Sequence, residues 1–483
     1  MGLNWQIISP EITVLVTAFV LILADLFIKR ARNAVFIAIS LTGIIIAIFL
    51  TFQNSRYLGL GFSNIVINDY VGFYFKIIFC LGTLLTVFIS SAYVAREMKS
   101  IGEYYVLVFI ATFGMMVMAT SADLITIFLG LEVMSIPLYV LAGIHRDRPR
   151  SREAAMKYFL LGSFASGFLL YGISLMFGAY GTTNLIEIGK RFDFGANYSQ
   201  VLSSAGLIFI LIGLGFKAAI APFHMWVPDV YEGSVAPITA FMSAGPKAAA
   251  FAALFRIFSL FSPVISDNFT TVLWILAVGT MTWGNVVAIA QKNIKRMLAY
   301  SSIAHAGYVM IALTAGGAAG FSAGIFYLLA YTVMNIGAFA VIILFAGRGE
   351  KFENIRDYSG FGFKYPLAGI AMTVFMLSLA GIPATAGFMG KYKIFMAAID
   401  SGYTWLAIIG VMNSLISVWY YVGVIVTMYM IPQTEQRADA PFSTTLMIAV
   451  FIALFGTLQL GLFPDKWLDL ANLAGASLNW IHQ

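Results

Sequence analysis

The chain of 483 residues is strongly apolar: hydrophobic residues make up 60% of it, charged residues only 10%, and the mean hydropathy is +0.90. A soluble domain carries about 25% charged residues, so this composition excludes a soluble enzyme, a disordered chain and a nucleic-acid-binding protein. The single cysteine, Cys80, excludes a disulfide or a thiolate metal site within the chain. The composition indicates an integral membrane protein, whose net charge of +6 reflects basic loops.

Fourteen apolar stretches are long enough to cross a bilayer, which takes about 20 residues per helix. No soluble domain interrupts them, so we predict an all-α integral membrane protein. The turns around residues 121 and 317 are very short, so the helices on either side of each turn are antiparallel. The predicted spans are 10–29, 33–51, 71–93, 102–120, 122–144, 154–180, 201–227, 235–260, 269–290, 296–315, 318–346, 364–397, 404–430 and 443–463.

Lysine and arginine residues divide unequally between the two sets of loops. One set holds 17 of the 28, including the run at 145–152, and the opposite set holds 5, Arg256 among them. Because basic loops stay on the cytoplasmic side, we expect a multi-pass protein of the cell inner membrane with both termini on the outer side. The run at 145–152 is interpreted first as a topology anchor, and binding of a lipid headgroup or a partner protein is the alternative.

Glu132 lies about midway along the fifth span, and Pro137 follows it in the same helix. An ionisable group at mid-bilayer costs about 2.5–3.5 kcal/mol, so such groups normally face a water-filled path or each other. We interpret Glu132 as a proton-binding carboxylate that is paired with a lysine. A carboxyl group that stays protonated and hydrogen-bonds a neighbouring helix is the alternative.

Three lysines lie beside Gly/Pro interruptions of apolar helices: Lys217, Lys247 and Lys391. An interruption at mid-membrane is tolerated only where the backbone lines a cavity or is covered by protein. We therefore predict that these lysines transfer protons, with snorkelling or pairing to a carbonyl group as the alternative. Lys393 points about 200° away from Lys391 around the helix, so only one of the two faces a given path, and Lys391 is preferred.

Two histidines and one further lysine complete the candidates. His224 shares a face with Lys217 if the helix is unbroken, and otherwise it is a helix-cap residue. His305, in the tenth span, can both give and take a proton, and a buried histidine with fixed partners is the alternative. Lys157, near the inner end of the sixth span, is either a membrane anchor or a site of proton uptake.

The two interrupted helices predict an internal repeat with sites near the membrane midplane. Lys217 and Lys391 are 174 residues apart, which separates the seventh and twelfth spans by five helices, so the two repeats would be inverted in the membrane. Glu132 precedes Lys217 by 85 residues, and Lys247 follows Lys217 by 30 residues. The same offsets from Lys391 lead to position 306, next to His305, and to Tyr421. The predicted parts are 1–101 with helices 1–3, 102–260 with the first repeat, 261–430 with the second repeat, and 431–483 with helix 14.

Four stretches carry a resemblance to a known family: residues 131–143, 151–178, 217–251 and 293–308. They resemble the N-type antiporter-like subunit of respiratory complex I, which is called subunit 2 in mitochondria and plastids. The similarity covers about residues 70–460. The runs PLYVLAG and EAAMKYFLLG favour the N type over the M-type and L-type subunits, and the chain ends without the long lateral helix of an L-type subunit.

This resemblance implies fourteen helices with two inverted five-helix repeats and broken helices 7 and 12. It implies partner subunits, namely M-type and K-type neighbours and the lateral helix of an L-type subunit, besides membrane lipids. The complex is expected to use NADH, FMN, iron–sulfur clusters and quinone, with no cofactor, metal or redox chemistry in this chain. The family's proton-transfer positions fall on Glu132, Lys157, Lys217, His224, Lys247 and Lys391.

The function that we predict is proton translocation coupled to quinone reduction elsewhere in the complex. Separation of Glu132 from Lys217 would release a proton toward Lys247 and then Lys391. A subunit of a multisubunit sodium/proton antiporter is the first alternative, favoured if the isolated chain transports protons with sodium as the only driving force. A membrane scaffold is the second, and it predicts that charge-removing variants lose assembly rather than pumping.

Overall fold

The computed structural model describes residues 4–28, 32–98, 101–191, 197–261, 267–345, 348–432 and 443–478. The chain is almost entirely helical within these ranges. In chain order its elements are α1 (Ser9–Phe27), α2 (Arg32–Asn54), β1 (Gly59–Gly61), β2 (Val66–Asn68), α3 (Tyr70–Glu97), α4 (Ile101–Thr120), α5 (Leu124–Ala142), α6 (Pro149–Tyr180), α7 (Leu185–Arg191), α8 (Asn197–Ala218), α9 (Val227–Gly233), α10 (Ala236–Phe261), α11 (Asp267–Ile289), α12 (Ile294–Ala315), α13 (Gly317–Phe345), α14 (Phe361–Lys364), α15 (Pro366–Ala380), α16 (Ala386–Asp400), α17 (Thr404–Met430), α18 (Thr444–Leu462) and α19 (Asp465–Ser477).

The predicted all-α membrane fold is confirmed. Thirteen helices of the described ranges are long and apolar enough to cross a membrane. The remaining predicted span, 364–397, which is the twelfth in chain order, corresponds to the two shorter helices α15 and α16. The predicted short turns are also present, because α5 begins soon after α4 ends at Thr120, and α13 begins at Gly317, directly after the Gly316 cap of α12.

Some elements were not predicted. The strands β1 and β2 form a small antiparallel hairpin between α2 and α3, and α7 lies in the polar stretch between the sixth and seventh spans. The helix α19 follows the last span and packs against α3 and α13. A search for long apolar stretches cannot find such elements, because they are short or less apolar than a span.

The helices α10, α12 and α13 form the centre of the bundle, and their side chains are almost completely buried. Close packing depends on small residues, as expected for helices in lipid. Gly130 on α5 lies against α4 so closely that a Cβ atom there would come within 3.0 Å of the Gly114 carbonyl oxygen. Buried charged side chains on α10 and α12 are therefore surrounded by protein groups.

Both predicted helix interruptions are present. The first separates α8 from α9, and Ala219, directly after α8, has a left-handed φ of 65°. The second separates α15 from α16, and Gly381 ends α15 with a φ of 88°. The amides and carbonyls at these four helix ends lack partners within the helix, so other groups must satisfy them inside the bundle.

Basic segments from three places in the described chain lie together, as their distribution along the sequence predicts. Arg150, in the first turn of α6, is 3.9 Å from Glu353 in the connection after α13, and Lys295 in the first turn of α12 is 2.8 Å from the same carboxylate. Four basic residues that contribute to the predicted asymmetry, Lys29, Arg30, Lys99 and Arg437, lie outside the described residues.

The prediction that Arg256 belongs to a loop is wrong. Arg256 lies inside α10, which continues to Phe261, and its side chain is buried. Its guanidinium group donates two hydrogen bonds, of 2.7 and 2.8 Å, to the carboxylate of Asp69 and a third, of 2.6 Å, to the Ala119 carbonyl. A buried arginine is compatible with this position because its charge and hydrogen-bond donors are matched by protein groups.

Candidate functional site

Lys217 lies in an aromatic chamber at the end of α8. Its side chain is buried, and its Nζ atom donates a hydrogen bond of 3.3 Å to the Tyr139 hydroxyl. The same nitrogen is 4.7 Å from the ring centroid of Tyr139 and 4.6 Å from that of Tyr158. Trp226 stacks on Tyr158 with ring centroids 4.4 Å apart. The chamber therefore stabilises an ammonium group mainly through ring faces.

Glu132 is not in direct contact with Lys217. Its Oε1 atom accepts a hydrogen bond of 2.5 Å from Ser166 on α6, and its side chain is only partly buried. Among the residues that the structure describes, no carboxylate oxygen lies within 4.0 Å of Lys217 Nζ. The predicted pair is therefore at most a longer-range interaction between α5 and α8.

Lys247 lies on the fully buried helix α10. Its Nζ atom donates hydrogen bonds to both the carbonyl and the hydroxyl oxygen of Ser302 on α12. The ammonium group also lies 5.2 Å from the ring centroid of Tyr331 on α13. Lys247 is therefore held where three of the central helices meet, with neutral partners only.

His305 joins α12 to two other helices through its ring nitrogens. The Nδ1 atom forms a hydrogen bond with the Tyr327 hydroxyl on α13, and the Nε2 atom one of 3.0 Å with the Tyr421 hydroxyl on α17. The ring is also 4.9 Å from that of Tyr331, which contacts Lys247. The sequence spacing led to both His305 and Tyr421, and the structure brings these two side chains together.

Lys391 lies in α16, but its ammonium group reaches back across the second interruption. Its Nζ atom donates hydrogen bonds of 3.0 and 2.9 Å to the carbonyls of Leu379 and Ala380, the last two residues of α15. A third bond, of 2.9 Å, reaches the hydroxyl of Ser414 on α17. The preferred lysine of this helix is therefore buried, whereas Lys393 is partly exposed.

A continuous set of contacts links the central groups. From Lys247 it passes through Tyr331 to His305, whose ring is 5.7 Å from that of Tyr308. Tyr308 in turn lies 4.7 Å from the ammonium group of Lys391. Every member is buried inside the bundle, so the set forms a polar line within the apolar core.

The chamber around Lys217 approaches the beginning of this line. Trp226 contacts Tyr231 with ring centroids 6.1 Å apart, and the Tyr231 hydroxyl lies beside Ser302, the partner of Lys247. Aromatic side chains therefore fill the interval between the two lysines.

Lys157 does not join the buried line. Its side chain is 41% exposed, and its Nζ atom lies 2.6 Å from Asp229 on α9 and 2.7 Å from Glu153. These contacts place it in a network of ion pairs on the side of the basic loops. Its position thus differs from that of the three buried lysines.

His224 lies in the connection between α8 and α9 and not on a continuous helix with Lys217. The shared face that an unbroken helix would give is therefore absent. The side chain is buried, its ring is 6.1 Å from that of Trp283, and its Nδ1 atom has no hydrogen-bond partner among the described residues.

The sequence analysis missed the neutral members of the site. Tyr139, Tyr158, Ser302, Tyr327 and Tyr331 make most of its contacts, and none of them stands out in an apolar helix. One signal was present: Tyr327 and Tyr331 are four residues apart and so lie on one face of α13. Within the described ranges, no group of three or more His, Cys, Asp or Glu side chains could hold a metal ion.

The fold and this line together define a class: a multi-pass membrane protein with ionisable side chains buried in a line inside its helical bundle. Residues 121–417 match the family described as NADH:quinone oxidoreductase/Mrp antiporter, transmembrane. NADH-quinone oxidoreductase subunit N of Trichlorobacter lovleyi is 48% identical, over 98% of this chain and 97% of that protein. On both grounds the chain belongs to the NADH:quinone oxidoreductase/Mrp antiporter family.

Solved structures agree with this assignment. A chain of respiratory complex I from Thermus thermophilus with bound aureothin is 34% identical, covers 96% of this chain and 100% of its own length, and has a TM-score of 0.82. A chain of the Mrp complex from Dietzia has a TM-score of 0.86 over 99% of both chains but only 21% identity. The second likeness concerns the fold alone, so the antiporter alternative has the weaker support.

Proposed function

We propose that the chain is a proton-translocating membrane subunit of an NADH-quinone oxidoreductase, the respiratory complex I. The observation that carries this proposal is the buried line of contacts from Lys247 through Tyr331, His305 and Tyr308 to Lys391. Ionisable groups are costly in a membrane and mark ion pathways when they line up inside a bundle. Relatives that match this chain over 96–98% of both lengths carry the name of subunit N of that enzyme.

Lys217 is the group that receives a proton first in this proposal. Among the described residues, its ammonium group has one hydrogen-bond acceptor, the Tyr139 hydroxyl, and it also contacts ring faces. A carboxylate that approaches favours the charged lysine and one that moves away favours the neutral amine. Motion of Glu132 on α5 relative to α8 would therefore load Lys217 and then release its proton toward Lys247, His305 and Lys391.

The energy for this transfer comes from outside the chain. Moving one charge against 100 mV takes about 2.3 kcal/mol. The electron transfer from NADH through FMN and iron–sulfur clusters to quinone belongs, in this proposal, to other subunits of the complex. The chain itself contributes side chains that hold and pass protons.

The partner subunits cover the sides of the bundle that are exposed in the single chain. Ile136 on α5 and Phe164 on α6 are 57% and 71% exposed, and Trp405 and Trp419 on α17 are 71% and 74% exposed. Glu132 is partly exposed on the first of these sides, and a carboxylate needs a protein or water contact there rather than lipid. We propose M-type and K-type neighbours on these sides, with the lateral helix of the L-type subunit along the bundle.

The predicted repeats and orientation remain parts of this proposal. Residues 102–260 and 261–430 each contain one interrupted helix, which supports two inverted repeats between the first three helices and the last. The basic loops gather on one side, which supports an inner-membrane protein with both termini outside. Cysteine labelling of each terminus in sealed vesicles measures that orientation directly.

The test replaces Lys217 in the assembled complex. Lys217→Ala and Lys217→Arg are introduced, the complex is purified and placed in liposomes, and NADH oxidation and internal acidification are measured together. We expect assembly with loss of proton pumping in both variants, because alanine cannot hold a proton and arginine does not release one. Lys466→Ala, at an exposed position of α19, is the matched control and should pump normally.

Three outcomes contradict the proposal. Unchanged proton stoichiometry in Lys217→Ala removes this lysine from the pathway. Proton transport by the isolated chain with a sodium gradient as the only driving force would instead favour the antiporter alternative. Loss of assembly in the charge-removing variants would favour the scaffold.

A further inference from the structure

The short helix α9 is held by ion pairs to two longer helices. Asp229 and Glu232 lie on one face of α9, and both accept hydrogen bonds from the same nitrogen of Arg296 in the first turn of α12, at 2.8 and 2.9 Å. The other carboxylate oxygen of Asp229 accepts a bond of 2.6 Å from Lys157 on α6. Asp229 therefore joins α6, α9 and α12 through two cations.

The same short helix carries part of the Lys217 chamber at its start. Trp226 is the residue directly before α9, and its ring lies parallel to that of Tyr158, with an angle of 9° between the two planes. The Tyr158 ring in turn contacts the ammonium group of Lys217, which lies 4.6 Å from its centroid. Only two ring contacts separate the beginning of α9 from Lys217.

A helix of seven residues does not keep its position by its own hydrogen bonds, because helices this short are unstable in isolation. Its orientation depends on side-chain contacts with its neighbours. The side chains of Lys157, Asp229 and Arg296 are 41%, 33% and 31% exposed, so their ion pairs are weakened by salt. The ion pairs that orient α9 are thus partly exposed to solvent and respond to its ionic strength.

We propose that Asp229 and Arg296 are positioning residues for proton transfer: their ion pair fixes α9, and α9 in turn fixes Trp226 and Tyr158 against Lys217. This inference rests on the proposed function, since it concerns the geometry of the first lysine in the pathway. It also gives Lys157 a role, as the second cation on Asp229, that differs from proton uptake. Breaking the pair releases α9 and lets the aromatic chamber open.

The test is a double-mutant cycle in the purified complex in liposomes, with Asp229→Asn, Trp226→Phe and the double variant. Each single variant should lower the number of protons translocated per NADH about threefold, the size expected for a partly exposed ion pair. If Asp229 acts through Trp226, the double variant should be no worse than the poorer single variant. If Asp229 acts independently of Trp226, the double variant should show the product of the two single losses in protons per NADH. This result would overturn the proposal.

Salt provides a second readout. Raising the ionic strength should move the unmodified complex toward the proton stoichiometry of Asp229→Asn, and it should leave that variant unchanged. Asp229→Glu keeps the charge and should restore most of the pumping. Glu187→Gln is the matched control, since it removes an ion pair of 3.4 Å with Arg191 on α7, far along the sequence from the chamber, and it should pump normally.

The remaining outcomes are also decisive. Normal pumping by Asp229→Asn overturns the proposal. If that variant does not assemble, Arg296→Gln replaces it: glutamine has no charge with which to hold Asp229 and Glu232, so reduced pumping supports the proposal and normal pumping overturns it. If Lys217→Ala pumps normally, the proposed function itself fails; if Lys217→Ala stops pumping while Asp229→Asn does not, only the positioning role fails.

Discussion

The two helix interruptions satisfy their exposed carbonyl groups in opposite ways. At the first, neutral groups do so: the indole nitrogen of Trp226 donates a bond of 2.9 Å to the Phe216 carbonyl, and the Ile220 amide donates one of 2.8 Å to the Gly215 carbonyl. At the second, a charged group does so, because Lys391 donates to the last two carbonyls of α15. Lys217, beside the first interruption, takes no part in capping it.

The role of a lysine beside an interruption therefore depends on whether other hydrogen-bond donors already satisfy the exposed carbonyl groups of the helix end. An ammonium group at a helix C-terminus is stabilised by the helix dipole and by charge-assisted hydrogen bonds. Lys391 has three such bonds, while Lys217 has one long bond to a neutral hydroxyl. We therefore expect Lys217 to be the more mobile carrier and Lys391 to be the more strongly held one.

The largest expected effect comes from removing the charged cap. Lys391→Met should stop proton pumping and lower the free energy of unfolding by about 1–3 kcal/mol, because the Leu379 carbonyl is left buried without a donor. The thermal midpoint of the purified complex and its pumping in liposomes measure both effects. Lys393→Met is the control on the same helix, and a loss of pumping there instead would reverse the assignment of the active lysine.

A change at the end of α15 should disturb the same cap without removing it. Gly381 has a φ of 88°, and a Cβ atom there would lie 2.9 Å from Cδ of Lys391. Gly381→Ala should therefore cost about 1–2 kcal/mol of stability for the left-handed backbone and displace the ammonium group. Gly423→Ala on α17, where a Cβ atom meets nothing within 4 Å, should leave the thermal midpoint and pumping unchanged.

The first interruption can be tested by removing its side-chain donor. Trp226→Phe removes the indole donor from the Phe216 carbonyl and should lower stability by about 0.5–1.5 kcal/mol. The freed lone pair then competes with Tyr139 for the Lys217 ammonium group, so this lysine should become more like Lys391 and pump more slowly. Trp405→Phe, at a 71% exposed position, is the control; equal slowing in both variants would contradict the explanation.

The smallest effect is expected from the single hydroxyl group that Lys217 contacts. Tyr139→Phe keeps the ring face but removes the acceptor at 3.3 Å, which is worth about 0.5 kcal/mol at the low end for hydrogen bonds. Pumping should slow slightly while the complex stays as stable as before. Tyr171→Phe, an exposed position on α6, should have no effect, and complete loss of pumping in Tyr139→Phe would mean that the hydroxyl itself carries the proton.

The membrane fold could be predicted from the sequence because lipid permits few backbone arrangements. Every peptide group in the hydrocarbon region must find a partner, so long apolar stretches become helices, and the two interruptions stood out through Gly and Pro. The hairpin of β1 and β2 and the helix α19 escaped prediction, because they are not long apolar spans. Arg256 was misplaced, because its partner Asp69 lies far away in the sequence.

The charged members of the site were visible for a similar reason, since a lysine is conspicuous among apolar residues. Their partners were not, because tyrosine and serine are ordinary in such helices. The sequence also could not indicate that Lys391 caps the carbonyl groups at the end of α15. Nor could it indicate that Trp226 caps the Phe216 carbonyl, so that Lys217 takes no part in capping. That distinction depends on which donor lies within hydrogen-bond distance of each carbonyl group in the folded bundle.

The central position of α13 has a consequence for biosynthesis. This helix packs against α10 and α12, which precede it, but also against α15, α16, α18 and α19, which the ribosome delivers later. Even α3, near the start of the chain, obtains neighbours from α18 and α19. When α13 has been inserted into the membrane, the surfaces of α13 and α3 that pack against later helices are therefore not yet covered by protein. The bundle becomes complete only after the last of these helices has been inserted.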